Sequence, residues 1–362
     1  MPVNKVYDIW FCRFRQLNAT WHLSLVRNLA WFVTGLSISR SVQLHHIARH
    51  VPGAAQLVSQ TRRLSRVLDN PRLRVRTAYA PVARAILQQQ AKTHAAVVLI
   101  VDGTQVTGHH QLLLVAVRSR RRALPIAWTW VRYTRGASSA HRQRALLAYV
   151  RTLLPPGCSV VVVGDSEFGA VGVLCQLDAW GWRYVIRQKG LPQVRTVEHP
   201  TLQSLRELGS RPGERRWWPG VWLTRRSGYR TNLLLDWQPG QRRPWYLATN
   251  CTDPRAALRA YRQRMAIEEL FGDWKRHGMD LASTHLRQIA RLSRLVFLVA
   301  LLYLWLIDLG GRTQLSGQRH WIDRNDRRDL SFFQIGWRIL QRYLARDDAP
   351  PQLLLLLKLS GG

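Results

Sequence analysis

A polar motif in the last third of the chain combines an acid, two cations and a phenol at fixed spacing. Its pattern is Tyr-x2-Arg-x3-Glu-x6-Lys, at Tyr261, Arg264, Glu268 and Lys275. On a single α-helix, at about 100° per residue, the four side chains fall within an arc of about 60°. Such a stripe could present an acid to a phosphate-bearing ligand. The alternative interpretation is an amphipathic helix with chance charge pairs at i,i+4 spacing.

Two aspartates follow apolar runs further upstream. Asp102 follows Val-Val-Leu-Ile-Val at 97–101, and Asp165 comes shortly after Ser-Val-Val-Val-Val at 159–163. Such runs predict strands that are buried on both faces. Because ligand sites in open α/β sheets form at the carboxyl ends of strands, we expect the two aspartates to meet there, within reach of Glu268. The alternative is that each Asp only caps a strand end, as Asp often does in loops.

Three carboxylates without a Cys or His cluster predict chemistry with a hard divalent cation. Mg²⁺ and Mn²⁺ are the natural ions for such oxygen ligands. Two ions about 4 Å apart could activate a nucleophilic oxygen and stabilise the leaving oxygen of a phosphodiester. Arg264 would then bind phosphate as a planar fork, and Lys275 would bind it as a point charge.

The composition indicates a globular protein with a polyanionic partner. Apolar residues make up 46% of the 362 residues, which excludes a disordered chain. The formal charge of +33 disfavours the compact state unless a polyanion neutralises it. Nucleic acid is the expected polyanion, and a membrane surface is the competing one. Only five of the 54 basic residues are Lys, so a Lys in the polar motif is less expected by chance.

The sequence predicts neither a membrane span nor a zinc site. The apolar run 295–307 is too short to span a bilayer, so we expect a buried core helix there. Asn4, Lys5 and Asp8 interrupt the first apolar stretch, which argues against a signal peptide. The four Cys lack the spacing of a zinc site, and we expect them as small buried residues in a reducing cytosol.

The first 88 residues have a helical pattern. Breaks are predicted at Gly35, 52–53 and 70–71. A short helix at 41–50 is followed by one at 54–68 that carries Arg62, Arg63 and Arg66. Two helices across a short turn, the second one basic, predict a helix-turn-helix and hence a helical DNA-binding domain. The alternative is an ordinary helical hairpin, which would look similar in so basic a chain.

The middle of the chain alternates between strand and helix patterns. Strands are predicted at 97–101, 112–117, 123–130, 159–163 and 183–187, with helices at 139–154 and 168–180. This order predicts a mixed α/β sheet with helices on both faces. A Trp-rich segment with Pro and Gly turns then predicts a β-rich insertion, with strands at 221–225, 230–237 and 245–249.

The C-terminal third is predicted to be mainly helical. A core helix is expected at 292–309, a loop from Gly310 to 330, and a helix at 331–345. The predicted domains are a helical DNA-binding domain at 1–88, the first part of a catalytic core at 89–190, a β-rich insertion at 191–250, the second part of the core at 251–310, and a helical C-terminal region at 311–362.

The polar motif and the two aspartates together resemble a known family. The chain is similar to the DDE transposases of bacterial insertion sequences, specifically insertion-sequence family four, whose Tyr-Arg-Glu-Lys signature it matches at each of its four positions. The resemblance covers roughly residues 95–310. It departs from the family around the second aspartate, where relatives often have Asp-Arg-Gly-Phe and this chain has Asp-Ser-Glu-Phe at 165–168.

The resemblance implies a fold, a reaction and roles for individual residues. The implied fold is an RNase H-like mixed sheet flanked by helices, with a β insertion before the helix that bears Glu268. Asp102, Asp165 and Glu268 would be catalytic and bind two Mg²⁺ ions, with Mn²⁺ able to substitute. The implied DNA contacts are Tyr261, Arg264 and Lys275 of the signature, and Trp245 as the Trp on which a flipped base stacks. Arg187 and Lys189, at and just after the end of the predicted strand 183–187, are also expected to bind DNA.

The implied activity is cut-and-paste transposition of an insertion sequence. It comprises nicking, a hairpin at the transposon end, hairpin opening and strand transfer at terminal inverted repeats. The expected partners are double-stranded DNA, both terminal repeats and target, and a second copy of the chain in a homodimeric synaptic complex, without a membrane. The expected location is the bacterial cytoplasm, in association with the nucleoid. Two alternatives stay open: a non-catalytic or repurposed DNA-binding relative, and an RNase H-like nuclease or resolvase.

Overall fold

A computed structural model describes most of the chain, in two compact units. The described residues are 2–119, 122–132, 138–198, 200–208, 211–223, 228–275, 277–324, 326 and 328–351. The first unit comprises 1–86, 105–111 and 269–362, and the second comprises 87–104 and 112–268. The five predicted domains are not tested by this division and stay predictions.

The helices and strands of the described residues are as follows. The helices are α1 (Pro2–Leu17), α2 (Leu23–Ser39), α3 (Leu44–Ala48), α4 (Leu57–Asp69), α5 (Val75–Thr93), α6 (Ala140–Arg151), α7 (Val171–Ala179), α8 (Pro254–Arg262), α9 (Met265–Trp274), α10 (Ile289–Leu315) and α11 (Phe332–Ala345). The strands are β1 (Val97–Thr107), β2 (His110–Ser119), β3 (Arg122–Arg132), β4 (Val160–Gly164), β5 (Arg183–Gln188), β6 (Gln193–Arg195), β7 (Gln203–Ser204), β8 (Arg215–Leu223), β9 (Tyr229–Asp236) and β10 (Trp245–Thr249).

The strands form one mixed sheet in the order β3-β2-β1-β4-β5-β10-β9-β8-β6-β7. The core strands β1, β4 and β5 run parallel. The neighbours β1, β2 and β3 follow one another across two-residue connections, so they must run antiparallel. Helix α6 packs on β3, α7 on β5, and α8 on β4 and β5. The predicted mixed α/β sheet flanked by helices is therefore confirmed.

The strands of the predicted insertion extend this same sheet. Strand β10 pairs antiparallel with β5, and β9 and β8 continue outward from it. The prediction at 245–249 coincides with β10, and the one at 230–237 is displaced by a residue. The predicted strand at 221–225 is the end of the longer β8, and its last two residues lie outside the described part of the chain.

Two predicted helix breaks in the first unit are wrong because glycine serves helix packing there. Helix α2 continues through Gly35, where a Cβ would lie 2.7 Å from the Ile47 carbonyl oxygen at the end of α3. Helix α10 likewise continues through Gly310 to Leu315 instead of ending in a loop. A Cβ at Gly310 would overlap the carbonyl oxygen of Phe332 in α11. In both places glycine gives up some helix propensity and lets a second backbone approach closely.

Helix α10 is the core helix of the first unit. Its 27 residues are long and apolar enough, by length and composition alone, to cross a membrane, and 78% of its most apolar stretch is buried inside the protein. The predicted length of the apolar helix was too short, whereas the predicted core position is confirmed by its packing against α2, α4 and α11. The predicted helix at 331–345 corresponds to α11, which begins at a capping box formed by Ser331 and Gln334.

The cysteines are only partly as expected. All four are free thiols, and Cys251 is buried. Cys12 and Cys175, however, are exposed on α1 and α7, because they fall on the outer faces of these helices. The prediction of small buried residues is therefore wrong for these two positions.

Candidate active site

The parallel pairing of β1 and β4 brings the two aspartates to neighbouring positions. Val101 is the register partner of Gly164. Asp102 follows Val101 and Asp165 follows Gly164, so the two aspartates lie side by side. A Cβ at Gly164 would lie 2.7 Å from a methyl group of Val101, so glycine is needed for this close approach. One detail differs from the prediction: β1 does not end at Asp102 but continues to Thr107, because it turns back directly into β2.

Asp102 is a buried carboxylate with two charge-stabilising donors. Its Oδ1 accepts a 2.8 Å hydrogen bond from the backbone N–H of Gly103, and its Oδ2 accepts one of 2.7 Å from Nη1 of Arg264. Only 14% of the side chain is exposed. Burial raises the pKa of Asp102 to about 6; Arg264 opposes the shift, and the charges of Asp165 and Glu268 add to it. Three carboxylates therefore interact electrostatically at this edge of the sheet.

The helix expected across the polar motif is divided in two. Helix α8 ends at Arg262 and α9 begins at Met265, so Arg264 lies in the turn between them. The prediction of one continuous helix across the polar motif is therefore wrong. Because α8 packs on β4 and β5, the turn holds Arg264 at the edge where Asp102 lies, and the residue is 8% exposed.

Arg264 bridges two of the three candidate metal ligands. Besides its contact with Asp102, its Nη2 lies 2.5 Å from Oε1 of Glu268. Glu268 stands in the first turn of α9, where the partial positive charge of a helix N-terminus favours an acid, and 48% of its side chain is exposed. The predicted convergence of Asp102 and Glu268 thus occurs through a guanidinium, whereas the sequence suggested that Arg264 binds phosphate.

Asp165 has an oxygen that the protein leaves without a hydrogen bond. Its Oδ1 is buried and makes no hydrogen bond to any described residue, and Nη1 of Arg187 lies 3.8 Å from it. A buried anionic oxygen is costly unless a cation or a donor compensates it. Within the described ranges, no three Asp, Glu, His or Cys side chains are arranged to hold a metal ion as they stand. The donor chemistry nevertheless suits a hard cation, since Asp102, Asp165 and Glu268 supply only carboxylate oxygens.

Glu167, the acid that departs from the family pattern, has a structural contact. Its Oε1 accepts a 2.7 Å hydrogen bond from the backbone N–H of Ser138. Its carbonyl oxygen accepts a further bond of 2.9 Å from Nε2 of Gln143 on α6. Glu167 therefore ties the turn after Asp165 to the start of α6.

Two aromatic residues of the prediction pack against each other. The rings of Trp245 and Tyr261 meet edge to face with their centroids 5.0 Å apart. Tyr261 is 2% exposed, so it does not lie on an open stripe, and burial raises its pKa to about 12. Trp245 at the start of β10 is half-buried. Their predicted DNA contacts stay predictions.

The remaining predicted DNA contacts of the first unit are basic residues on helices or beside them. Arg62, Arg63 and Arg66 are exposed on α4. This helix follows the short helix α3 only after the segment 49–56, so the short turn of the helix-turn-helix prediction is wrong. Lys275 is half-buried directly after α9. The structure describes Lys275 in the first unit, and its predicted place beside the carboxylates stays a prediction.

A basic cavity adjoins Asp165 in the second unit. It has a volume of about 720 Å³ and begins at Ser166, next to Asp165. Five cationic residues line it, namely the predicted Arg187 and Lys189 together with Arg206, Arg242 and Arg243. Among the described residues that line it none is acidic, and Trp237 and Tyr246 add aromatic surface. The side-chain Nε2 of Gln188, also in the lining, is buried without a hydrogen-bond acceptor among the described residues.

The sequence interpretation missed part of this cavity. Arg206 and the pair Arg242 and Arg243 are outside the polar motif. The pairing of β10 with β5 brings Arg242 and Arg243 towards Arg187, whereas the backbone N–H of Arg206 donates a 3.2 Å hydrogen bond to the carbonyl oxygen of Gly190. The signal that could have found them is the adjacent Arg-Arg pair in a Pro/Gly turn directly before a predicted strand.

Comparison with known proteins identifies a family and distant structural likenesses. The model of the family described as "Transposase DDE domain" matches residues 93–305. No curated protein matches the chain. Among solved structures, the cryo-EM structure of the piggyBac transposase synaptic complex with hairpin DNA is similar at 11% identity and a TM-score of 0.42, over 99% of this chain and 82% of the other. A likeness at that level supports no conclusion about function.

Proposed function

The chain belongs to the family of transposases with a DDE domain, and on that premise we propose that it cuts and joins DNA in cut-and-paste transposition of an insertion sequence. The observation that carries this proposal is that Asp102 on β1 and Glu268 at the start of α9 both contact the guanidinium of Arg264. Asp165 lies next to them, directly after the end of β4. We also propose that the chain is a member of insertion-sequence family four, with Tyr261, Arg264, Glu268 and Lys275 as its signature.

The three carboxylates are proposed to hold two divalent cations, Mg²⁺ or Mn²⁺. The fit is supported by an all-oxygen donor set and by the buried Oδ1 of Asp165, which has no hydrogen-bond donor among the described residues. When bound, the ions would activate the attacking oxygen and stabilise the leaving oxygen of a phosphodiester. The protein's own contribution is to fix the carboxylates: Gly103 orients Asp102, and the first turn of α9 orients Glu268.

The proposed substrate is double-stranded DNA at terminal inverted repeats and at the target. Support comes from the formal charge of +33 and from the cavity beside Asp165, whose five cations could neutralise phosphates of a strand that approaches the carboxylates. Arg187 and Lys189 belong to that cavity. Trp245 and Tyr261 are proposed to contact the DNA end. The exposed arginines Arg62, Arg63 and Arg66 of α4 are proposed to bind DNA away from that end.

Several finer features belong to the same proposal. They are a hairpin intermediate at the transposon end, strand transfer into target DNA, a homodimer that pairs the two ends, and a cytoplasmic, nucleoid-associated location in a bacterium. Each follows from the family resemblance of the polar motif and its two upstream aspartates.

Cleavage of the element's ends by purified protein tests the catalytic assignment. Asp102→Ala, Asp165→Ala and Glu268→Ala should each abolish cleavage in Mg²⁺ while gel-shift binding to the same DNA survives. Glu269→Ala, which removes the exposed neighbouring acid on α9, is the matched control and should still cut. A carboxylate variant that retains cleavage contradicts the site.

The same assay separates transposition from its alternatives. Transfer of the cut ends into a target plasmid is expected for a transposase. Cleavage without joining would indicate a nuclease or resolvase, and binding without cleavage by the unsubstituted protein would indicate a non-catalytic DNA-binding relative.

A further inference from the structure

We propose that Arg264 is an internal counter-ion that occupies the carboxylate site and must be displaced before a divalent cation can bind there. The inference rests on the proposed function, since it takes Asp102 and Glu268 as metal ligands. It adds that the protein itself opposes metal binding, and that one side chain sets the strength of this opposition.

Arg264 opposes a metal ion both sterically and electrostatically. Nη1 and Nη2 of Arg264 lie 2.7 Å from Oδ2 of Asp102 and 2.5 Å from Oε1 of Glu268. Mg²⁺ requires oxygen ligands at about 2.0–2.1 Å in near-octahedral geometry. A planar guanidinium that already donates to both oxygens lies in the space that the ion would need. Two cations confined to that space would also repel each other, most strongly beside Asp102, whose side chain is only 14% exposed.

The guanidinium of Arg264 is held firmly in this position. Arg264 is 8% exposed and lies in the turn between two helices, so little of its side chain is free to move into solvent. Both of its contacts are charge-assisted hydrogen bonds, which are stronger than neutral ones. Breaking a buried ion pair is costly unless a new charge replaces the lost partner. The carboxylates thus have a resident cation, and a metal ion must compete with it.

The three carboxylates have different cationic neighbours. Arg264 contacts Asp102 and Glu268, whereas the ion pair of Asp165 within the described part of the chain is the longer one to Arg187, at 3.8 Å. Arg264 therefore closes the part of the site that lies between β1 and α9. Removing its charge should open that part without moving Asp165, because β4 and its pairing with β1 do not involve Arg264.

Mn²⁺ binding to the DNA-free protein tests the proposal. The unsubstituted chain, Arg264→Met and Arg262→Met are titrated with Mn²⁺ while free ion is measured by electron paramagnetic resonance. Arg262 is exposed on the last turn of α8, so its variant removes the same charge from the same region without touching the carboxylates. Arg264→Met should bind its first Mn²⁺ roughly tenfold more tightly, a factor within the usual range of coupling between two sites. Arg262→Met should bind it like the unsubstituted chain.

A second variant keeps the test decisive if Arg264→Met folds poorly. Arg264→Lys retains the charge but loses the fork that reaches two carboxylates at once, so it should bind Mn²⁺ with intermediate affinity. Circular dichroism of each variant verifies folding before titration.

Two outcomes would overturn the proposal in distinguishable ways. If the unsubstituted chain binds Mn²⁺ and the Arg264 variants bind it equally or more weakly, Arg264 positions the carboxylates and does not compete with the ion. If none of the proteins binds Mn²⁺ at millimolar concentration, the metal site of the proposed function fails as well.

Discussion

Ionised Asp102 should destabilise the metal-free protein, and Asp102→Asn should reveal by how much. The ordinary pKa of the carboxyl is 3.8, and burial raises it to about 6 in the folded chain. The folded state therefore binds the proton more tightly than the unfolded state does. The difference of about 2 pH units corresponds to about 3 kcal/mol, at about 1.4 kcal/mol per unit.

The sign of the effect follows from where the proton is lost. Below about pH 4 the carboxyl is protonated in both states and contributes no difference. As the pH rises to about 6, the unfolded chain loses its proton first, so this group lowers the free energy of unfolding, and above about 6 the full cost is present. Asn does not titrate, so only the unsubstituted chain loses this stability. Relative to the unsubstituted chain, Asp102→Asn should therefore gain about 3 kcal/mol in free energy of unfolding between pH 4 and pH 7.

Urea unfolding in the presence of a chelator measures this difference. Tryptophan fluorescence is followed at constant ionic strength for both proteins at each pH, and the chelator keeps adventitious cations from neutralising the site. Because Arg264 lowers the pKa of Asp102, an Arg264→Met background should displace the pH dependence to higher pH. A difference between the two proteins that is constant with pH, or that decreases as pH rises, would refute the reasoning.

Two further predictions concern packing and phosphate contacts. Gly336→Ala should lower the free energy of unfolding by about 2 kcal/mol or more, because its Cβ would overlap the Leu306 carbonyl oxygen. The control is Gly172→Ala on α7, where the added Cβ meets open space. In the same urea experiment this variant should be neutral or slightly stabilising. Replacing Arg242 and Arg243 by Gln should weaken DNA binding and reduce the slope of log affinity against log salt by roughly 1.5 to 2, and an unchanged slope would remove both from the interface.

The local sequence determined much of the mixed sheet. Buried parallel strands need continuous apolar, β-branched runs, so the positions of β1 and β4 and the aspartates that follow their apolar runs could be predicted without coordinates. Strand β10 could be predicted for another reason: its aromatic and apolar run lies between Pro244 and Asn250, which is typical of a strand bounded by turn residues. The large positive charge likewise needs no fold to indicate a polyanionic partner.

Other features depend on contacts between segments that are far apart in sequence. The glycines at 35 and 310 look like helix breakers until a second helix is placed against them, and the motif from Tyr261 to Lys275 looks like one helix until α8 packs on the sheet. A local pattern records propensity, and tertiary packing can override it.

The role of Arg264 is the clearest case. The sequence alone determined that an Arg stands four residues before a Glu and that two aspartates follow buried strands. Only the tertiary structure decided that its guanidinium joins Asp102 to Glu268 and is largely buried. The physical reason is that an arginine binds whichever anion is nearest in space, and a partner 162 residues away in the chain can be assigned only after the fold has brought it close.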